Sequence, residues 1–125
     1  MGYTLANRAI FDIDGTEWQA LDLLADKWVL VVLYALADGL QRHGELRRAI
    51  KGISAKMLTQ TLRQLERNGM VVRKVYAVVP PKVEYRLTPL GQSSLTPLHV
   101  MCQWAEEHWA EVLAAQAVAG EGTVG

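Results

Sequence analysis

A single cysteine, Cys102, stands in a chain of 125 residues, so no disulfide can form within it. Neither sign of charge is in excess: thirteen Lys and Arg balance thirteen Asp and Glu. No charged-then-apolar stretch opens the sequence, so no secretory leader is expected. The longest apolar run, Trp28 to Ala37, is about half the ~20 residues that a membrane-spanning helix needs. These absences predict a soluble, cytoplasmic, single-domain protein that does not enter membranes. No nucleophile–base–acid set, glycine-rich phosphate loop or pair of carboxylates stands out, so no catalytic residue, enzyme activity or cofactor is expected. There is no internal repeat, and the one biased block is the Gly/Ala-rich tail after Gln116.

The zero net charge hides an asymmetry. Between Arg42 and Arg86 lie eleven basic residues against Glu45, Glu66 and Glu84, a local excess of eight. The remainder holds Arg8 and Lys27 against ten acidic residues. A basic segment on an acidic body creates a local field for phosphates that the total conceals.

At the centre of that segment, Ile53 to Met70 reads as a helix with both ends marked. Ser54 can accept an orphan N–H of the first turn. Ile53 and Leu58 are spaced for a hydrophobic staple, and Asn68-Gly69 supplies a left-handed stop. Leu58, Leu62 and Leu65 form one apolar stripe. Lys56, Gln60, Arg63 and Arg67 fall opposite, with Thr59 beside them. Such side chains can bond base edges and phosphates in a major groove that admits one helix.

Around it, Glu17 to Ala25 carries Trp18, Leu21, Leu24 and Ala25 on one helical face. Asp26 can cap an apolar helix from Lys27 to Ala37 that Gly39 ends. Leu40 to Arg42 reads as an extended link, and His43 to Ile50 as a helix with Leu46 and Ile50 inward and Arg47 and Arg48 outward. Lys51-Gly52-Ile53 joins it to the Ser54 helix, which is the helix-turn-helix arrangement. Val71 to Tyr76 and Val83 to Thr88 read as strands; in the second, Val83, Tyr85 and Leu87 alternate with Glu84 and Arg86. The loop between them, with Pro80, Pro81 and Lys82, makes a wing. Thr88-Pro89 and Thr96-Pro97 look like helix starts. The last helix aligns Leu98, Met101, Cys102, Ala105, Trp109, Val112 and Leu113, more apolar surface than a small domain covers alone.

Taken in order, Lys27-Trp28, Gly44 to Arg48, Gly52 to Gln60, Leu62 to Glu66, Gly69, Pro80 to Tyr85 and Leu87 to Gly91 resemble the HxlR-type winged helix-turn-helix transcriptional regulators. The resemblance covers roughly Leu21 to Trp104. It implies a homodimer, DNA binding through the Ser54 helix, and a wing that touches the DNA backbone or minor groove. Relatives that sense oxidants carry a cysteine just before the first helix. Phe11 to Glu17 has none, so thiol sensing is not carried over. His43 stands where relatives usually have an aromatic residue.

The expected fold is α+β and mostly α: an arm over 1–16, a winged helix-turn-helix with N- and C-terminal dimerisation helices over 17–116, and a flexible tail over 117–125. The expected DNA contacts are Arg42, Arg47, Ser54, Lys56, Thr59, Gln60, Arg63, Arg67 and Lys82, on an inverted-repeat operator. Trp18, Leu21, Trp28, Leu98, Met101, Cys102, Trp104 and Trp109 are the candidates for dimerisation or for an aromatic or apolar small-molecule effector. His99, Cys102 and Glu106 share a helix face, but without a second cluster they predict no metal site. The alternatives are a MarR-like ligand-responsive repressor and a winged-helix module that binds protein.

Overall fold

The ends of α2 and α4 fall where the sequence supplies a cap and a breaker. In the structure, a computed structural model, residues 13–39 and 41–122 are described. Most of the expected arm (1–12), Leu40 of the expected link and the last three residues of the expected tail lie outside them. The elements run α1 Thr16–Leu24, α2 Lys27–Ala37, α3 His43–Ala49, α4 Ala55–Arg67, β1 Val71–Tyr76, β2 Lys82–Leu87, α5 Pro89–Ser93 and α6 Leu95–Gly122. Asp26 caps α2 by accepting the Trp28 and Val29 N–H groups at 2.8 and 3.3 Å. Ser54 caps α4 by accepting the Met57 N–H at 3.0 Å. Gly39, Gly52 and Gly69 all take positive φ, at a helix end or in the turn before α4.

The chain divides into two units, Met1–Ser93 and Ser94–Gly125. In the first, α2 is the central element and packs on α1, α3, α4 and β2, while α4 also meets α3 and β1. The core comprises Val29, Val32, Leu33 and Leu36 of α2, Leu46 and Ile50, and Ile53, Leu58, Leu62, Leu65, Met70 and Val71. Thr61 is the polar member of the buried α4 stripe; its hydroxyl donates to the Met57 carbonyl at 2.8 Å and is thereby satisfied within the helix.

β1 and β2 pair antiparallel, from Val71↔Leu87 to Tyr76↔Lys82. The Tyr85 N–H donates to the Gln41 carbonyl at 2.8 Å, tying the segment before α3 to the sheet. The sheet runs into α5 through Thr88. Its hydroxyl donates to the Gly69 carbonyl at 2.6 Å and accepts the Gly91 N–H at 3.1 Å.

The second unit is α6. It begins at Leu95 rather than after Thr96, and Pro97 sits in its first turn, where a missing N–H leaves no bond unmade. It also continues to Gly122, through most of the stretch expected as a tail. The alanines and Gln116 there favour helix, and an interior glycine such as Gly120 opposes it by only about 1 kcal/mol.

Candidate nucleic-acid interface

On α4, burial and charge divide cleanly. Leu58, Thr61, Leu62 and Leu65 are buried, and Lys56, Gln60, Arg63 and Arg67 are exposed on the opposite face. The exposed four therefore project away from the core along one stripe. Thr59 does not join them. It is half-buried at the flank toward α3, where its hydroxyl shares a hydrogen bond with His43 Nε2 at 3.0 Å. Ser54 is exposed, but its hydroxyl is engaged by the helix end.

On α3, Arg47 and Arg48 are exposed and Leu46 is buried, as the periodicity predicts. Arg42 is exposed just before it; its N–H donates to the Glu45 carboxylate at 3.0 Å, which fixes the start of the helix. With α4, these residues form an array of cations and an amide on consecutive helices of one unit.

The wing adds charge in a different form. Lys82 is half-buried, and its ammonium pairs with Glu84 at 3.0 Å. Arg86 lies 3.6 Å from the other oxygen of the same carboxylate. Residues 82, 84 and 86 alternate onto one strand face, which is why a single carboxylate reaches both cations. Glu84 is itself buried, 6% exposed. Simple alternation puts it on the outward side, and the structure corrects that: Glu84 is buried with Lys82 and Arg86 on its two carboxylate oxygens. The hydrogen bond from Lys82 holds the Glu84 carboxyl below its ordinary range. Desolvation opposes this, and the charges of Lys82, Arg86 and Arg42 reinforce it.

Tyr76, the cross-strand partner of Lys82, has the ammonium groups of Lys74 and Lys82 at 4.9 and 5.1 Å from its ring centre. Periodicity alone did not single out Lys74, Tyr76 or Glu84. Their grouping depends on the strand register, which the sequence carries only as a hairpin signal.

The candidates for dimerisation and effector binding divide between the two units, Trp18, Leu21 and Trp28 in the first and Leu98, Met101, Cys102, Trp104 and Trp109 in the second. Trp28 lines a shallow groove of about 640 Å³, broadly open to solvent, with Val31, Tyr34, Ala35 and Asp38 of α2 and Ala49, Ile50 and Lys51 at the end of α3. Trp18 is half-buried and Leu21 exposed on α1. On α6, Leu98 is buried and Cys102 half-buried, whereas Met101, Trp104, Trp109 and Leu113 are about half exposed. Trp28 is the tryptophan that lines this groove. Among the described residues no group of three or more His, Cys, Asp or Glu is placed to hold a metal, so His99, Cys102 and Glu106 do not converge. No described helix is long and apolar enough to cross a membrane.

Two helices joined by a tight glycine turn, the second displaying a basic stripe, followed by a two-stranded hairpin, define a winged helix-turn-helix protein. Residues 23–112 match the HxlR-like helix-turn-helix family. The chain belongs to that family of transcriptional regulators. YkvN of Bacillus subtilis (strain 168), an uncharacterized HTH-type transcriptional regulator, is 49% identical over 94 residues, 72% of this chain and 80% of its own. The solved structure of ytfH from Salmonella typhimurium, named as a transcriptional regulator, superposes with a TM-score of 0.73 at 39% identity, covering 82% of this chain and 91% of that one. The redox regulator HypR in its reduced form gives a TM-score of 0.72 at 39% identity, covering 81% of this chain and 99% of its own.

Proposed function

We propose that the protein binds specific double-stranded DNA sites in the cytoplasm as a homodimer and regulates transcription without catalytic activity. The observation that carries this reading is the stripe of Lys56, Gln60, Arg63 and Arg67, exposed directly opposite the buried leucines of the second helix of the motif. Gln60 is suited to adenine and Arg63 to guanine, each pairing in a bidentate way. Lys56, Arg67, Arg47 and Arg42 are suited to phosphates, which position the protein without reading sequence. A module that binds protein instead would present apolar residues on this face.

The dimer reading rests on Met101, Trp109 and Leu113, which one protomer leaves half exposed along α6. A two-fold dimer reads an inverted repeat, with half-site centres roughly one or two helical turns apart. The effector is an aromatic or apolar small molecule, and the groove beside Trp28 has the size of a ligand pocket. It abuts Lys51, the residue before the positive-φ Gly52, so an occupant touches the turn that aims α4. Oxidant control is not part of this reading. Phe11 to Glu17 lacks cysteine, and Cys102 sits half-buried on α6.

The test is selection of bound duplexes from a random DNA pool, followed by binding of Gln60→Ala and Lys82→Ala to the selected and scrambled duplexes across a salt series. Gln60→Ala should relax preference at one position per half-site, by about 1–3 kcal/mol. Lys82→Ala should weaken both duplexes alike and reduce the salt slope by about one unit per protomer. Failure to enrich any sequence would overturn the reading.

A further inference from the structure

The loop that caps the wing is apolar and bare. Val78 is 52% exposed and Val79 100%, and Pro80 and Pro81 after them are also exposed. Val79 is wholly uncovered and Val78 half covered, and the Val78 N–H donates to the Tyr76 carbonyl at 2.9 Å where the chain bends out of β1. Two strand residues below, Lys74 and Lys82 bring their ammonium groups onto the Tyr76 ring. The tip is therefore an apolar point whose base carries Lys74 and the Lys82–Glu84–Arg86 cluster, three cations around one carboxylate and so a collar of net positive charge. Water is a poor environment for the point, and another apolar surface is a poor environment for the collar. A nucleic acid suits both, with phosphates for the collar and the stacked interior of the bases for the point.

We propose that Val78 and Val79, backed by the two prolines, form a wedge that enters the minor groove and parts one base step, bending the DNA. This rests on the DNA-binding reading above and goes beyond it: the wing reads deformability rather than base identity. Apolar side chains inserted between base steps kink duplexes by about 20–90° toward the major groove. Pyrimidine–purine steps, TA above all, unstack most readily, so the wing contributes sequence preference at a position where it makes no base-edge hydrogen bond. The cations and the wedge have separable tasks. Lys74 and Lys82 draw the tip to the backbone, and their effect fades with salt. The valines unstack the step, and their effect does not require charge.

The experiment uses the full-length protein and a duplex of about 30 base pairs obtained by the selection described above, with a dye at each end. 2-Aminopurine replaces one base of the step under the wing, located by moving a TA step along the flank of the half-site. The wild type should shorten the end-to-end distance and raise 2-aminopurine emission at that step. Val79→Ser, with Val78→Ser as a second variant, should abolish both signals and lower affinity for the TA duplex about tenfold, but less than about twofold for a duplex with GC at the same place. The salt slope should be unchanged. Lys82→Ala should keep the bend and lose slope. Because Val79 is wholly exposed, its replacement leaves the fold intact, which a melting curve verifies. Unbent DNA with the wild type, or an undiminished bend with both serine variants, overturns the wedge while the DNA-binding reading stands. Failure of the selection itself overturns both.

Discussion

His43 Nε2 and Thr59 Oγ1 lie 3.0 Å apart, joining the first residue of α3 to the second turn of α4. They are sixteen residues apart in sequence, and the bond spans the two helices of the helix-turn-helix. It takes Thr59 out of the exposed stripe and makes it a strut that sets how α4 stands against α3.

Thr59→Val should leave the His43 ring nitrogen without this partner. The expected loss is about 0.5–1.5 kcal/mol of stability, the usual worth of one such bond. Urea unfolding followed by circular dichroism measures it. Base preference, read by competition between selected and scrambled duplexes, should change less than in Gln60→Ala. A larger change would return Thr59 to the reading surface.

Glu84 makes stability depend on pH in a defined direction. Its carboxyl is held below the ordinary value of 4.5 by the Lys82 hydrogen bond first and by the charges of Lys82, Arg86 and Arg42. A group whose folded pKa is depressed stabilises the protein above its unfolded pKa, and that contribution is lost as pH falls through the folded value. Glu84→Gln should therefore lower the denaturation midpoint at pH 7 and approach the wild type as pH drops below 4.5. Midpoints that differ equally at pH 7 and pH 3 would show that the carboxylate charge is not what stabilises the wing.

Gly91 packs its bare Cα against the backbone of Met70. A Cβ there would overlap the Met70 carbonyl oxygen and crowd Leu87. The same carbonyl accepts the Thr88 N–H at 3.0 Å, so it cannot swing aside freely. Gly91→Ala should destabilise by about 1–3 kcal/mol, in the manner of an overpacked core. Thermal melting reports the change; a melting point equal to that of the wild type would contradict the packing described.

Trp109 tests the dimer. It is half exposed on α6 beside Met101, Ala105 and Leu113 of the same helical stripe. Sedimentation velocity at micromolar concentration should show a species of twice the chain mass for the wild type. Trp109→Glu should shift it toward the monomer, because a dimer contact would strand a carboxylate in an apolar interface. Retention of helical content in the variant separates dissociation from unfolding. A wild type that sediments as a monomer would remove the homodimer and, with it, the inverted-repeat operator.

Most element boundaries were legible in the sequence because they depend on partners within a few residues. Asp26 and Ser54 satisfy N–H groups two or three positions ahead, and Gly39, Gly52 and Gly69 need only their own φ. The leucine spacing of α4 likewise specifies which face is buried, and so leaves Lys56, Gln60, Arg63 and Arg67 outward before any fold is known. Tertiary structure decided what depends on distant partners. Thr59 meets His43 across a turn, Thr88 reaches the carbonyl of Gly69, and Tyr76 gains Lys82 through the hairpin register. Glu84 has neighbours at 82 and 86 in the sequence, yet only the fold buries it, brings both cations onto its carboxylate and depresses its pKa. A cap or a helical stripe is a property of consecutive residues, which the sequence alone determines. The division of charged and hydroxyl side chains between solvent and a partner is a property of packing, and only the fold sets it.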